Sequence, residues 1–202
     1  MLKRLFDFSA SLAGLILLSP LLVAIMLAIR LEGPGPAFFL QERVGRGGKS
    51  FRIVKFRTMR QTAPLEGPQI TIGQDPRITR LGHTLRKFKL DELPQLLNVL
   101  KGEMSLVGPR PEVPAYMARY TSEQQAIILS VRPGITDFAA IEFSDEAEIL
   151  AKAPNPEATY VQEVMPRKFA LYERYAREQS FWLDLTLITK TLGKIVERRD
   201  RW

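Results

Sequence analysis

Between Phe8 and Ile29 the chain carries no formal charge, reading FSASLAGLILLSPLLVAIMLAI. A run of about 20 apolar residues crosses the hydrocarbon core of a bilayer as a helix, so this segment restricts the fold more than any other. A secretory leader wants a shorter apolar stretch before a small-residue cleavage site, and LAIRLEGPG is a poor one. A core helix this uniformly apolar would be unusual in a soluble chain of 202 residues.

Ser19-Pro20 falls at the middle of the run. Proline removes a backbone donor and crowds the preceding turn, so a bend is expected there. Both flanks are basic, with Lys3 and Arg4 before the run and Arg30, Arg43, Arg46, Lys49 and Arg52 after it. Positive residues favour the cytoplasmic side, which suits a helix that enters, turns at Ser19-Pro20 and leaves by the same face. A kinked spanning helix satisfies the same residues, and physics alone leaves both open. Asp7 suits the positive end of the helix dipole and is expected to pair with Lys3 or Arg4, a structural role.

The net charge of +7 implies an anionic partner: nucleic acid, anionic lipid or a phosphorylated substrate. The chain has no cysteine and a single histidine, His83. Thiolate nucleophiles, disulfides, cysteine-ligated metals and His-rich metal sites are therefore excluded. A reducing compartment is allowed. The chemistry falls to carboxylates, arginines and a hard metal ion.

Leu31–Ala37 is a breaker-rich exit from the apolar run. Phe38–Val44 and Ser50–Met59 read as strands joined through Gly45-Arg46-Gly47-Gly48-Lys49, a hairpin signature. No GxGxxG or GxxxxGK[ST] pattern makes that turn a nucleotide loop. The polar stretch Gln61–Pro76 reads as a surface loop able to close over a substrate. Helices are expected at Ile78–Phe88, Leu93–Leu100 and Pro114–Ser130, with helix then loop across Asp145–Ala158. At the C-terminus Phe181, Leu185, Ile188, Leu192 and Ile195 recur at helical spacing near Lys190, Lys194, Arg198 and Arg199. That helix either packs on a core or lies on a bilayer with Trp182 and Trp202 at the interface.

The densest cluster of functional residue types runs from Arg86 to Asn98, RKFKLDELPQLLN. Asp91 or Glu92, just before Leu93-Pro94, is at its simplest a helix N-cap. Against that reading, Arg86, Lys87 and Lys89 surround the pair with cations that should lower both pKa values and keep them ionised. Adjacent carboxylates without cysteine suit Mg²⁺, which bridges protein oxygens and substrate phosphates. A carboxylate can also attack phosphorus, given cations to cancel the repulsion.

These residues, with others in order along the chain, resemble the bacterial sugar transferases of the small monotopic phosphoglycosyl transferase type. The matching stretches are Lys3–Asp7, Ser19-Pro20, Gln41–Gly45, Lys55–Met59, Leu90–Gln95, Asn98–Ser105, Val107–Pro111 and Arg132–Thr136. The resemblance implies a re-entrant helix over residues 1–30 and a cytoplasmic-face catalytic domain over 31–202. The fold class is then α+β, mostly helical with a small β-hairpin, plated on the bacterial inner membrane by interfacial amphipathic helices. It further implies that Asp91 attacks the β-phosphate of a UDP-sugar, releasing UMP, and that undecaprenyl phosphate then accepts the phosphosugar. Glu92, with Asp91, would hold Mg²⁺. Arg86, Arg110 and Arg132 would bind substrate phosphate, and Lys55 and Arg57 are counted with them.

One departure bears on the donor sugar. After Arg132-Pro133-Gly134-Ile135-Thr136, many family members continue with glycine and a small polar motif ending in Asn-Gly, whereas this chain reads DFAAIEFSDE. Asp137, Glu142 and Asp145 there either contact sugar hydroxyls or form solvated surface. His83 is expected to have a surface or packing role. The rival functions are a membrane-surface or nucleic-acid binding protein and a membrane-anchored phosphodiesterase. Nucleic acid is disfavoured, because aromatics are not interleaved with the basic residues. A homodimer is left open.

Overall fold

The computed structural model describes residues 2–60, 73 and 75–197. Most of the polar Gln61–Pro76 stretch, and Arg198, Arg199 and Trp202, lie outside the described residues.

The first helix, α1 (Leu2–Glu32), continues through Pro20. Proline at 20 deprives the Ile16 carbonyl of its usual donor four residues on. The Ser19 hydroxyl donates to that carbonyl at 2.8 Å, so the Ser-Pro pair repairs the bond it breaks. The apolar run is not uniform in its packing. Asp7, Ser11, Ile25 and Ile29 are buried, and Gly14, Leu18 and Leu22 are half-buried between them. These positions recur at helical spacing and form one stripe facing the rest of the chain. The opposite side exposes Leu5, Leu12, Leu17, Leu27 and Leu31.

Strands β1 (Phe38–Val44) and β2 (Ser50–Phe56) form the expected antiparallel hairpin. Helix α2 (Arg80–Lys87) starts at Thr79, whose hydroxyl accepts from the Gly82 N–H at 2.9 Å. A tight 3₁₀ segment, Leu90–Gln95, precedes α3 (Leu96–Lys101). The helix expected from Leu93 is therefore two pieces, the first wound tightly with Pro94 inside it. Then come β3 (Ser105–Val107), α4 (Pro114–Met117) and α5 (Ser122–Ile128). The single helix expected over Pro114–Ser130 is split because Thr121 and Gln124 form a reciprocal capping box that starts α5 afresh.

The chain continues through β4 (Gly134–Thr136), α6 (Phe138–Glu142), α7 (Glu146–Ala151) and α8 (Pro156–Thr159). A π-helical turn, Tyr160–Val164, leads into α9 (Met165–Glu178), and α10 (Phe181–Glu197) follows. β3 and β4 pair in parallel, Ser105 opposite Gly134 and Val107 opposite Thr136, a pairing the sequence does not announce. α9 is likewise new. It carries Tyr172 and Tyr175 into the core beneath α5 and α6.

α1 is sewn to the remainder by its first two turns. Lys3 donates to the Val107 carbonyl at 3.1 Å and to Asp184 at 2.5 Å. Arg4 donates to the Val99 and Leu100 carbonyls at 2.6 and 2.8 Å, capping the end of α3. Asp7 pairs with neither Lys3 nor Arg4. It accepts from the Ser105 hydroxyl at 2.8 Å and the Leu106 N–H at 3.2 Å, a structural role with different partners. Farther along, Ile25 and Ile29 pack with Phe56 and Leu85, so α1 underlies both α2 and α3.

α10 packs on the core, as one of its two expected roles requires, and leaves apolar residues exposed on its other side. Its innermost residues are Asp184 and Leu187, off the stripe marked by spacing alone. Trp182 is 75% exposed, and Leu192 and Val196 are exposed with it.

Replacing Asp7 by alanine leaves two buried donors without an acceptor. Asp7→Ala is expected to lower unfolding stability by about 3 kcal/mol, measured by urea titration in detergent. A loss under about 0.5 kcal/mol, the level of a surface substitution, would contradict this role for Asp7.

Candidate active site

The segment Leu90–Gln95 hangs between α2 and α3, and both helices rest on α1. Its entry residue, Lys89, has φ of 56°, the left-handed region that non-glycine residues seldom adopt. This conformation turns the chain so that Asp91 and Glu92 both point inward, each 8% exposed.

The two carboxylates meet opposite surroundings. Glu92 Oε1 accepts from Lys55 Nζ at 2.9 Å and from Arg110 Nη2 at 2.6 Å, and Oε2 lies 3.4 Å from Arg110 Nη1. Burial favours its neutral form, yet Arg110, Lys55 and Lys89 overcome that and hold its carboxyl well below the usual range. Asp91 is pushed the other way, first by burial and then by the neighbouring Glu92 charge. Its Oδ1 is buried and finds no hydrogen-bond partner among the described residues. The expectation that surrounding cations lower both pKa values therefore holds for Glu92 and fails for Asp91. The cations that matter most are Arg110 and Lys55, distant in sequence. Lys87, nearer in sequence, lies over the Phe88 ring at 5.3 Å.

Lys55 arrives from β2, on the face that also buries Phe51 and Ile53. Burial lowers its pKa to about 8 against the pull of Glu92. Arg110 arrives from the Gly108–Pro111 turn, which crosses the Arg132–Gly134 turn backbone to backbone. A methyl at Gly108 would overlap the Arg132 carbonyl, and one at Gly134 would overlap Gly108, so the crossing requires glycine twice. Asp137 completes the support. One oxygen accepts from the Arg110 N–H at 3.2 Å and the other caps α6 through the Ala140 N–H at 2.6 Å. Burial raises its pKa to about 6. Neither reading offered for Asp137 describes it, since it is buried and holds the arginine turn. Glu142 is exposed and pairs with Arg167 at 3.2 Å, as solvated surface. Asp145 is half-buried ahead of α7.

Arg86 reaches the site from α2. Its Nε donates to the Thr58 hydroxyl at 2.8 Å, and the charges of Asp91 and Glu92 act on it against the effect of burial. α2 approaches this closely because Gly82 has no side chain to strike the Thr58 carbonyl. Two other arginines are held elsewhere. Arg57 donates to the Ile29, Gly33 and Pro34 carbonyls at the end of α1. Arg132 Nε donates to the Gly102 carbonyl at the end of α3. His83 is exposed on α2. Sequence reasoning missed Arg43 and Glu112, which back the site. Arg43 donates to the Pro111 carbonyl at 3.0 Å, and Glu112 is buried beside Tyr160. Their signal is adjacency to motif residues: Glu112 directly follows Pro109-Arg110-Pro111.

Among the described residues no group of three or more His, Cys, Asp or Glu assembles. A cation here would draw on two carboxylates and complete its shell with phosphate and water, as Mg²⁺ does. The orphaned Asp91 Oδ1 and the weakly engaged Glu92 Oε2 are hard, anionic donors that fit such an ion. An ionised carboxylate, a raised-pKa carboxylate and flanking cations together suit chemistry on phosphate esters.

The family model for bacterial sugar transferases matches residues 1–198. The chain belongs to the bacterial sugar transferase family. It is 38% identical over 197 residues to the UDP-N-acetylgalactosamine-undecaprenyl-phosphate N-acetylgalactosaminephosphotransferase of Aeromonas hydrophila, covering 96% of this chain and 44% of that protein. It is 38% identical over 204 residues to the undecaprenyl-phosphate glucose phosphotransferase of Komagataeibacter xylinus, covering 98% of this chain and 36% of that one. A third relative, the UDP-glucose:undecaprenyl-phosphate glucose-1-phosphate transferase of Caulobacter vibrioides, is 38% identical over 198 residues, 96% of this chain and 69% of the relative. The chain thus spans less than half the length of the first two.

Glu92 adds stability only while ionised. Its contribution is complete above the unfolded carboxyl value of about 4.3 and is lost as pH falls through the depressed folded value. Arg110→Met is expected to lower stability by about 3 kcal/mol at pH 7. The gap from the parent should shrink as urea titrations are repeated below about pH 4. A gap that stayed constant with pH would disconnect Arg110 from the Glu92 charge.

Proposed function

We propose that this chain transfers a phosphosugar from a UDP-sugar to undecaprenyl phosphate, giving undecaprenyl-diphosphate-sugar and UMP. The observation that carries the reading is the asymmetric pair at 91 and 92, set in a segment whose flanking helices both rest on an exposed apolar helix. Membership of the family and the activities named for three relatives point the same way.

In the first step an Asp91 oxygen attacks the β-phosphorus of the donor. The bond from that phosphorus to the oxygen bridging to the α-phosphate breaks, and UMP leaves with the bridging oxygen. The sugar phosphate is then held as a mixed anhydride on Asp91. In the second step a phosphate oxygen of the lipid attacks the same phosphorus, and the bond to Asp91 breaks and restores the carboxylate. Neither step consumes a proton, so the site needs charge compensation rather than a general acid. A raised pKa makes Asp91 the more basic and more nucleophilic carboxylate, while Glu92 stays anionic in the grip of Lys55 and Arg110. Mg²⁺, held through Glu92 and Asp91, would supply positive charge between the diphosphate and the pair. Arg86 stands on the Asp91 side to steady phosphate. The product opens the membrane phase of bacterial glycoconjugate assembly.

The reaction joins a water-soluble donor to a lipid, which explains a site built on α1. The basic residues flanking both ends of the apolar run support a re-entrant α1 on the cytoplasmic face of the inner membrane. The exposed Trp182, Leu192 and Val196 of α10 support a second, interfacial contact.

Three experiments test this reading. Purified protein with Mg²⁺ and a panel of UDP-sugars should release UMP only when undecaprenyl phosphate is present in stoichiometric excess, apart from a single-turnover burst. Asp91→Asn should cut turnover by about a thousandfold or more. It should also unfold at higher urea than the parent at pH 7, because the parent's buried charge is unfavourable above about pH 4. Sustained release without lipid would mean a hydrolase, and near-normal activity of the variant would refute the covalent step. For topology, single cysteines replacing Leu2 and Arg46 should both be labelled only from the cytoplasmic side. Labelling of position 2 from the opposite side would establish a spanning helix.

A further inference from the structure

Phe39 stands opposite Lys55 in the β1–β2 ladder. Directly opposed residues of an antiparallel pair project from the same face. That face turns inward: on β2 it buries Phe51 and Ile53 against Val99 and Met104, and it sends Lys55 to Glu92 at 2.9 Å. Phe39 nonetheless remains 47% exposed. It is an apolar ring on the working side of the hairpin, beside the lysine that touches the carboxylate pair.

A second set of contacts ties the chain entering β1 to the end of α1. β1 begins at Phe38, shortly after α1 ends at Glu32. Arg57 binds the two together, its guanidinium on the carbonyls of Ile29, Gly33 and Pro34 and its N–H on the Ala37 carbonyl at 2.8 Å. The last turns of α1 expose Leu27 and Leu31. Exposed apolar residues therefore stand both on the last turns of α1 and at the start of β1, at Phe38, Phe39 and Leu40, and of these Phe39 shares its face with Lys55.

We propose that Phe39 binds the isoprenoid chain of a polyprenyl monophosphate next to its phosphate, and so sets affinity for the acceptor. This rests on the transferase reading and assigns the face to one of its two substrates. A UDP-sugar carries no extended apolar segment, whereas an isoprenoid chain whose phosphate lies at the Lys55 side of the pair has Phe39 as the exposed apolar ring on that face. Burying ring and chain together removes apolar area of both from water.

The test uses the full chain in detergent micelles, with Phe39→Ala and Phe39→Leu. Equilibrium binding of a fluorescent short-chain polyprenyl phosphate, without donor, should weaken about tenfold in Phe39→Ala and largely recover in Phe39→Leu. The KM for the UDP-sugar and the UMP burst without lipid should stay at parental values. A raised donor KM with unchanged lipid binding would give the face to the nucleotide and overturn the proposal. Unchanged values throughout would overturn it as well. So would release of Phe39→Ala from membranes with lipid binding intact, which would make Phe39 a bilayer contact. The binding measurement needs no turnover. Phe39-dependent lipid binding in a protein that releases no UMP would sink the transferase reading and leave this one standing.

Discussion

A carboxylate withdrawn from water stays charged only in the company of cations, and Glu92 takes its two from separate regions of the chain. Lys55 comes from the hairpin and Arg110 from the Gly108–Pro111 turn. Much of the structure follows from bringing these three to one point. β2 must lie against the 90–95 segment, and the arginine turn must cross the Arg132–Gly134 turn at glycine. Asp137 must reach back to the Arg110 backbone. The same arrangement defines the neighbour: burial and the Glu92 charge outweigh the pull of Lys55, Lys89 and Arg86, so Asp91 is left more basic.

The sequence made the pair itself legible, because Asp91 and Glu92 stand in the densest basic stretch of the chain. Their true partners were not legible, since Lys55 and Arg110 lie 37 and 18 positions from Glu92 and nothing local marks the meeting. Nearness in sequence instead pointed to Lys87, which turns to an aromatic ring. The hairpin and α2 were readable from alternation and punctuation. The parallel β3–β4 pair was not, because three-residue strands are too short to show a period. The split between α4 and α5 was written in the Thr121–Gln124 box, a local signal that the apolar pattern overrode. Arg57 and Arg132 were counted among the substrate-binding cations. Their hydrogen bonds hold helix ends, a use of arginine that composition cannot distinguish from phosphate binding.

α1 illustrates a different limit. Its hydropathy marks it as long and apolar enough to cross a membrane. Hydropathy alone hides the stripe of Asp7, Ser11, Gly14, Leu18, Leu22, Ile25 and Ile29 that carries α2 and α3. Small and polar residues at helical spacing within an apolar run are the trace of that packing. The reactive segment, slung between two helices seated on this stripe, lies about one helix diameter from apolar surface. Under the proposed transfer, a polar donor and an apolar acceptor would meet there without either being carried across the boundary between their solvents.

The attachment of α1 also has a consequence for how the molecule is made. Lys3 finds Asp184 across 181 positions, and Asp7 finds Ser105 across 98. During synthesis the apolar helix emerges before the other described elements, and the last of its polar partners emerges only when nearly the whole described chain has been translated. Until then the Lys3 ammonium and the Asp184 carboxylate lack each other, and α10, which carries Asp184, has yet to dock. Early membrane engagement of α1 would hold that end in place while the remainder is completed. A product ending before Asp184 would keep Asp91 and Glu92 but lack the ion pair that ties α10 to the start of α1.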